Sequence, residues 1–177
     1  LPSVHRYYEL RRRFLGLEEI HHYDCYVPLV PELEQKHTWD EALQEIVESL
    51  QPLGAIYCDQ LEAGLRGRWC DRYPNVGKQS GAFSSGTYDS DPYILMNFQE
   101  DVIEHVFTLA HEAGHSMHTR LSADAQPFQY AGYTIFVAEV ASTFNEQLLT
   151  RHLLSRADSP KQRAAIISRE IDAIRAT

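Results

Sequence analysis

The stretch from 101 to 122 constrains the fold most, because its helical pattern is long and uninterrupted. Its apolar residues recur at the spacing of one helix face: Val102, Ile103, Val106, Leu109, Ala110, Ala113 and Met117. Side chains at this spacing line one side of an α-helix. The pattern therefore predicts a helix over about 101–122 with this side buried.

The same stretch contains the run His111-Glu112-Ala113-Gly114-His115. Two histidines four residues apart lie one above the other on a helix, so both rings can reach a single tetrahedral zinc. Glu112 then projects toward the open side of the ion, which is the HExxH arrangement of a zinc hydrolase. The alternative is a surface helix whose histidines are incidental. The small residues Ala113 and Gly114 favour close packing against a neighbouring element.

A catalytic zinc needs a third protein ligand. In metzincins this ligand is a histidine six residues after the second histidine, with a glycine midway, but this chain has Leu121 and His118 there. The other solution is a glutamate from a second helix, and Glu139 is the candidate, since it lies among apolar residues of a helix predicted over 134–155. The alternative for Glu139 is an exposed helix position. His118 is left out of the ligand set, because four protein ligands would close the site.

The loop Ala123–Tyr133 predicts that these two helices are antiparallel neighbours, with Glu139 facing both histidines. Glu146 follows seven residues later, two turns along the same face. It could therefore form a hydrogen bond with a ligand histidine, although an ordinary surface charge is the alternative.

The rest of the chain predicts a mainly α-helical protein. Helices are expected over 3–16, over 39–50 behind a capping box of Thr38 and Glu41, over 52–67, and from Ser159–Pro160 onward, with an irregular connector over 21–31. Between 71 and 98 the runs GAFS and YILMNF predict strands of a hairpin or small sheet. We expect 1–177 to be a single domain.

Composition excludes several classes of protein. The chain has 25 acidic and 16 basic residues, and its net charge of −9 disfavours binding to nucleic acid or to an anionic membrane. No membrane span or signal peptide is expected. Cys25, Cys58 and Cys70 are odd in number and lack CxxC spacing, which argues against disulfides and thiolate zinc sites and favours the cytoplasm. The last helical run lacks a stop signal, so we expect a piece of a longer protein.

Four features together resemble one family: the run FTLAHEAGHSMHT, the 23 residues between His115 and Glu139, and the segments QPFQYAGYTIFVAEVASTFNE and GKQSGAFSSGTYDSDPYILMNF. They resemble the oligoendopeptidase F branch of the thimet oligopeptidase family. The resemblance extends over nearly the whole chain and is most specific from Gly77 to Glu146.

The resemblance implies that His111, His115 and Glu139 bind one zinc ion per chain and that Glu112 is the general base. It also implies that Gly81, Ala82, Phe83 and Ser84 match the strand at the edge of the sheet along which the family places its peptide. The family fold is a mainly helical, zincin-type core within two lobes around a deep channel. The family's C-terminal glycine-rich loop has no counterpart in these residues, so the chain is expected to be part of a longer catalytic domain.

The predicted function is that of a zinc-dependent endopeptidase acting on short oligopeptides, with the remainder of the longer polypeptide as its partner. One alternative is an inactive fragment that binds zinc and peptide. Another is a zinc carboxypeptidase, or a zinc hydrolase of non-peptide amides. A purely structural helical protein is the remaining alternative.

Overall fold

The structure, a computed structural model, describes residues 2–30 and 36–176. Its helices are α1 (Pro2–Phe14), α2 (Trp39–Ser49), α3 (Ala55–Arg66), α4 (Ile103–Ala125), α5 (Ile135–Arg156) and α6 (Pro160–Ala176). Its strands are β1 (Cys70–Asp71), β2 (Phe83–Ser85) and β3 (Tyr93–Leu95). The prediction of a mainly α-helical fold with a small sheet is therefore confirmed.

The chain divides into two compact units, and one of the two boundaries between them falls within α5. One unit comprises Leu1–Glu34 and Leu153–Thr177, and the other comprises Gln35–His152. In the first unit, Tyr7 Oη donates to Asp172 Oδ1 over 3.2 Å and so links α1 to α6. The second unit contains the sheet and the predicted metal ligands. The expectation of a single domain over 1–177 stays a prediction.

The C-terminal end of the predicted first helix follows from local chemistry. α1 ends at Phe14, and Gly16 adopts a φ of 68°, a left-handed conformation that glycine adopts without steric cost.

The predicted connector over 21–31 contains a 3-10 turn at His22–Tyr26, which sequence patterning did not predict. Its last residue lies outside the described residues.

The capping box at the start of α2 is present as predicted. Thr38 Oγ1 accepts from the backbone N–H of Glu41, and the N–H of Thr38 donates to Glu41 Oε2 over 2.9 Å. These two bonds satisfy amides that a helix N-terminus would otherwise leave without partners. Leu43 and Ile46 are fully buried on the inner face of α2.

The predicted start of the next helix at Pro52 is wrong. Pro52 lies in a 3-10 turn over Gln51–Leu53, and α3 begins three residues later, at Ala55. Gly54 separates the two with a φ of 94°, which is incompatible with a continuous right-handed helix. The proline therefore begins a turn rather than the helix.

The sheet has the order β1-β3-β2, with β3 in the centre. The predicted hairpin is confirmed as the antiparallel pair β2–β3, in which Ser84 lies opposite Ile94. β1, which was not predicted, pairs with β3 in parallel, and Ile94 N–H donates to the Trp69 carbonyl on that side. Opposite residues of an antiparallel pair exchange either both backbone hydrogen bonds or none. Because the amide of Ile94 bonds to β1, Ile94 and Ser84 exchange none. The N–H and carbonyl of Ser84 therefore point away from β3, toward the open edge of β2.

α4 crosses the unit Gln35–His152 as a largely buried helix. Five of its predicted inner residues are buried: Val106, Leu109, Ala110, Ala113 and Met117. Val102 and Ile103, at its beginning, are partly exposed. Phe107, Glu112 and Ser116 are buried as well, so α4 is enclosed on more sides than the predicted single face.

α5 and α6 begin near the predicted residues. Ser159 caps α6, since its Oγ accepts from the backbone N–H of Gln162 over 3.2 Å. Apolar side chains on the first half of α5 are nevertheless exposed: Ile135, Phe136, Val137, Val140 and Phe144. Glu139 does lie among apolar residues in the sequence, but these neighbours face outward rather than into a core.

Candidate metal centre

The two motif histidines face each other on α4. His111 Nε2 lies 3.1 Å from His115 Nε2, and the ring centroids are 4.7 Å apart with the ring planes at 85°. Residues four apart in an α-helix lie on the same face, which brings the two rings together without any contribution from the rest of the fold. Both side chains are partly buried, so the pair is held in place but remains accessible.

α5 brings a carboxylate to this pair. Glu139 Oε2 lies 3.4 Å from His111 Nε2, and Glu139 Oε1 lies 3.7 Å from His115 Nε2. One ligand atom from each of these three residues, hereafter the cluster, lies within 4.8 Å of the other two. The structure therefore brings together the three residues that the sequence singled out as metal ligands.

The approach of α5 depends on a glycine inside the motif. A Cβ placed on Gly114 would lie 2.6 Å from Ser142 Cα and 2.9 Å from the carbonyl oxygen of Ala141. Real side chains do not approach a backbone this closely, so any larger residue would separate the two helices. The expectation of close packing is confirmed at Gly114 by this contact, and Ala113 is fully buried.

Each histidine also has a partner on its other side. His111 Nδ1 lies 2.7 Å from Glu146 Oε1, and the ring of His115 forms a hydrogen bond with the backbone of Ala138. Burial disfavours a proton on His111, but the hydrogen bond to Glu146 and the nearby acidic charges outweigh it and raise the pKa of His111. Burial and the charge of His111 lower the pKa of His115.

The chemistry of these atoms fits a divalent cation. Glu146 is an acceptor, so His111 Nδ1 carries the hydrogen and Nε2 presents its lone pair to the cluster. The hydrogen bond with Ala138 favours the protonated form of His115, so the backbone group of Ala138 is an acceptor, its carbonyl oxygen. This carbonyl holds the ring hydrogen of His115 on the nitrogen that faces Ala138. Two lone pairs and a carboxylate then converge. Two imidazoles with one carboxylate is a common ligand set of catalytic zinc.

Glu112 lies beside the cluster but is not one of the three grouped residues. Its side chain is buried, and burial raises the pKa of this carboxyl above its ordinary value, against the opposing effects of the His111 charge and a hydrogen bond from the backbone N–H of Ser84. A carboxylate whose pKa is raised is a stronger proton acceptor than an exposed one, as a general base requires.

The strand next to Glu112 is the open edge of the sheet. Ser84 Oγ and Ser116 Oγ lie 2.8 Å apart and join β2 to α4. The predicted peptide-binding residues Gly81 and Ala82 precede β2, because Gly81 has a φ of 92° and its carbonyl accepts from Asn97 Nδ2. Phe83 and Ser84 lie within the strand as expected.

His118 is not part of the cluster. Its ring stacks on Tyr133 with centroids 3.9 Å apart, and its Nδ1 is buried without a hydrogen-bond partner among the described residues. Burial lowers the pKa of His118. Tyr133, which the sequence did not single out, also forms a short hydrogen bond with Thr119 Oγ1.

Sequence reasoning missed several contributors to this centre. The backbone groups of Ser84 and Ala138 leave no signal in side-chain type. Ser142 and Asn145 are buried polar residues of α5, and Asn145 Nδ2 donates to the carbonyl of Ala110 on α4 over 3.2 Å. Their one visible signal was the recurrence of polar residues in an otherwise apolar helix.

Within residues 2–30 and 36–176, none of the helices combines the length and the apolar character that crossing a bilayer requires. All three cysteines are free thiols.

Comparison with known proteins gives consistent matches. The model of peptidase family M3 matches residues 1–177. Oligopeptidase PepF of Bacillus subtilis is 47% identical over 177 residues, which are 100% of this chain and 26% of that protein. Group B oligopeptidase PepB of Streptococcus agalactiae is 41% identical over 100% of this chain and 29% of its own length.

A solved structure agrees with these matches. The crystal structure of a Chlamydophila abortus protein described as a peptidase superposes with a TM-score of 0.86 at 45% identity, covering 97% of this chain and 28% of that one. The chain thus spans between a quarter and a third of the length of these relatives. The resemblance to the oligoendopeptidase F branch is confirmed, and the chain belongs to peptidase family M3.

Proposed function

We propose that this chain is the metal-binding part of a zinc-dependent endopeptidase that hydrolyses short oligopeptides. The observation that carries the proposal is the convergence of His111, His115 and Glu139 within 4.8 Å, next to the buried carboxyl of Glu112. Because the chain spans only part of its relatives, we assign the activity to the longer polypeptide that contains these residues, hereafter the parent protein.

Three residues would hold one zinc ion per chain: His111 and His115 through Nε2, and Glu139 through its carboxylate. When bound, zinc supplies a Lewis acid that lowers the pKa of a water ligand toward about 7 and polarises the carbonyl of the substrate. Three protein ligands leave a position open for water, as catalytic zinc sites require. Glu146 and the Ala138 carbonyl orient the two rings so that both Nε2 atoms face the cluster.

Glu112 is the proposed general base. Its carboxylate accepts a proton from the attacking water and then delivers it to the nitrogen of the leaving amine. The raised pKa of Glu112 supports the first step, since burial makes the carboxylate a stronger proton acceptor than an exposed one. The backbone N–H of Ser84 contacts the same carboxylate and restricts its position.

The open edge of β2 supports an extended peptide as substrate. A peptide that pairs with a free strand edge is bound through its main chain, so little of its sequence is recognised. We propose that Ser84, whose carbonyl points toward the open edge, pairs with the substrate and that Gly81, Ala82 and Phe83 border the same path. The name of the Bacillus subtilis relative, an oligopeptidase, supports this class of substrate.

Two other functions give different experimental results. A fragment that only binds zinc and peptide would show no turnover in the parent protein. A carboxypeptidase would need a free C-terminus, whereas an endopeptidase would cleave oligopeptides that are blocked at both ends.

The free thiols of Cys25, Cys58 and Cys70 favour a reducing compartment, so we propose a cytoplasmic enzyme.

Replacing the proposed base tests this function. Glu112→Gln keeps the size of the side chain but removes the proton acceptor, so turnover of a blocked oligopeptide by the parent protein should fall by about 10²–10⁴-fold. Zinc content should stay at one ion per chain. Glu19→Gln, an exposed carboxyl in the other unit, is the matched control and should leave both quantities unchanged. Turnover at the wild-type rate in a zinc-loaded Glu112→Gln protein would exclude the proposed mechanism.

A further inference from the structure

Ser142 is a fully buried polar residue of α5 that the proposed chemistry does not use. Its Oγ lies 3.2 Å from Glu139 Oε2. This is the carboxylate oxygen that faces His111, at 3.4 Å from Nε2. The hydroxyl therefore contacts a candidate ligand on the atom nearest to the rest of the cluster.

The single hydroxyl proton of Ser142 has three acceptors within reach. The carbonyl oxygens of Ala138 and Glu139 lie at 3.4 and 3.1 Å, and the Glu139 carboxylate lies at 3.2 Å. Only the carboxylate is charged, and hydrogen bonds to ionised acceptors are about twice as strong as neutral ones. The Ala138 carbonyl is also engaged by the ring of His115. The carboxylate is thus the favoured acceptor.

Glu139 needs such a partner more than the histidines do. Its side chain is 44% exposed, compared with 26% for His111 and 17% for His115, so packing restrains it least. A glutamate side chain also has more rotatable bonds than a histidine and loses more conformational freedom when it is fixed. A hydrogen bond to one oxygen removes part of that freedom before a metal binds.

We propose that Ser142 is a positioning residue for Glu139, holding the Oε2 atom of its carboxylate so that the metal-binding geometry is formed in advance. This inference rests on the proposed function, because it assigns to Glu139 the role of a zinc ligand. Ser142 itself touches neither the metal nor the substrate.

The spacing along α5 supports this role. The three partners of the candidate ligands are Ala138 for His115, Ser142 for Glu139 and Glu146 for His111. They recur every four residues, so they lie on one face of the helix. Each candidate ligand therefore has one supporting group on the same face of α5.

Thr143 provides a matched control. It is the next residue on α5 and is exposed, and its hydroxyl donates to the backbone carbonyl of Glu139 rather than to the carboxylate. Thr143→Ala and Ser142→Ala each remove one hydroxyl from the same turn. Only the second removes a contact with the side chain of Glu139.

The test measures the zinc affinity of the chain by competition with a chromophoric chelator. Removing a partner of a metal ligand typically lowers metal affinity by about 10–100-fold, and we expect a loss of this size for Ser142→Ala. Thr143→Ala should stay within about twofold of wild type. Unfolding temperatures of the metal-free variants should be alike, because alanine fits the space that serine occupies.

A double-mutant cycle separates positioning from general damage. If Ser142 acts through Glu139, adding Ser142→Ala to Glu139→Ala should lower the residual zinc affinity no further. An affinity of Ser142→Ala within twofold of wild type, or an equal loss in the Glu139→Ala background, would overturn the inference while the zinc site stands. A wild-type chain without stoichiometric zinc would overturn the proposed function and the inference with it.

Discussion

Gly114 of α4 lies in backbone contact with Ser142 of α5, closer than any residue with a Cβ could approach. Alanine would add about 1 kcal/mol of helix propensity to α4. Overpacking, however, typically costs about 1–3 kcal/mol, and here the added Cβ meets backbone atoms that cannot rotate away. We therefore expect Gly114→Ala to lower the free energy of unfolding, measured by urea denaturation, and to weaken zinc binding by moving Glu139 away from the histidines.

Gly132 is the matched control for this substitution. It has no heavy atom within 4 Å of a Cβ placed on it. Gly132→Ala should leave stability and zinc affinity near their wild-type values. A Gly114→Ala chain with unchanged zinc affinity would show that the closeness of α4 and α5 is not needed for the metal centre.

Glu146 Oε1 lies 2.7 Å from His111 Nδ1, and we propose that this contact orients the ring. Glu146→Ala should lower zinc affinity by about 10–100-fold, because the ring loses the acceptor that keeps Nε2 turned toward the cluster. Glu146→Gln keeps a neutral acceptor, so its loss should be smaller. Isothermal titration with zinc measures both. Equal affinities in wild type and Glu146→Ala would show that this contact does not support the ligand.

Cys70 should be a poorly reactive thiol in the folded chain. Burial raises its pKa to about 12, against the opposing charges of Arg72 and Lys78. Because the thiolate is the nucleophile, iodoacetamide should modify Cys70 much more slowly in the folded chain than in urea, as measured by peptide mass spectrometry. Similar rates in both states would contradict this prediction.

The same shift predicts a dependence of stability on pH. The folded pKa of Cys70 lies above the ordinary value of 9.0, so its contribution to stability is complete below pH 9.0 and is lost as the pH rises toward about 12. Cys70→Ala removes this contribution. The free energy of unfolding should therefore fall less steeply above pH 9.0 in the variant than in wild type.

Features set by neighbouring residues could be predicted from the sequence. The capping box of Thr38 and Glu41 and the cap at Ser159 depend on contacts three residues apart, and both are present. The pairing of His111 with His115 follows from one helix turn in the same way. The prediction that Glu139 faces the two histidines needed a further step, because it depends on how α4 and α5 pack. The short loop between these helices allowed few arrangements of one against the other.

Features set by distant contacts could not be predicted in this way. β1 has only two residues and is defined by its pairing with β3, which lies more than twenty residues later. The helix start expected at Pro52 was wrong because the positive φ of Gly54 depends on the path of the chain rather than on a local pattern. The exposure of Phe136 depends on what packs against α5, about which helical periodicity says nothing.

The location of zinc tests the central claim most directly. Crystals of the chain grown with zinc should show one anomalous difference peak at the zinc absorption edge, between His111 Nε2, His115 Nε2 and the carboxylate of Glu139. The peak should be absent or strongly weakened in crystals of Glu139→Ala. A zinc peak held by other residues, or a peak of full height in Glu139→Ala, would contradict the assignment of this centre.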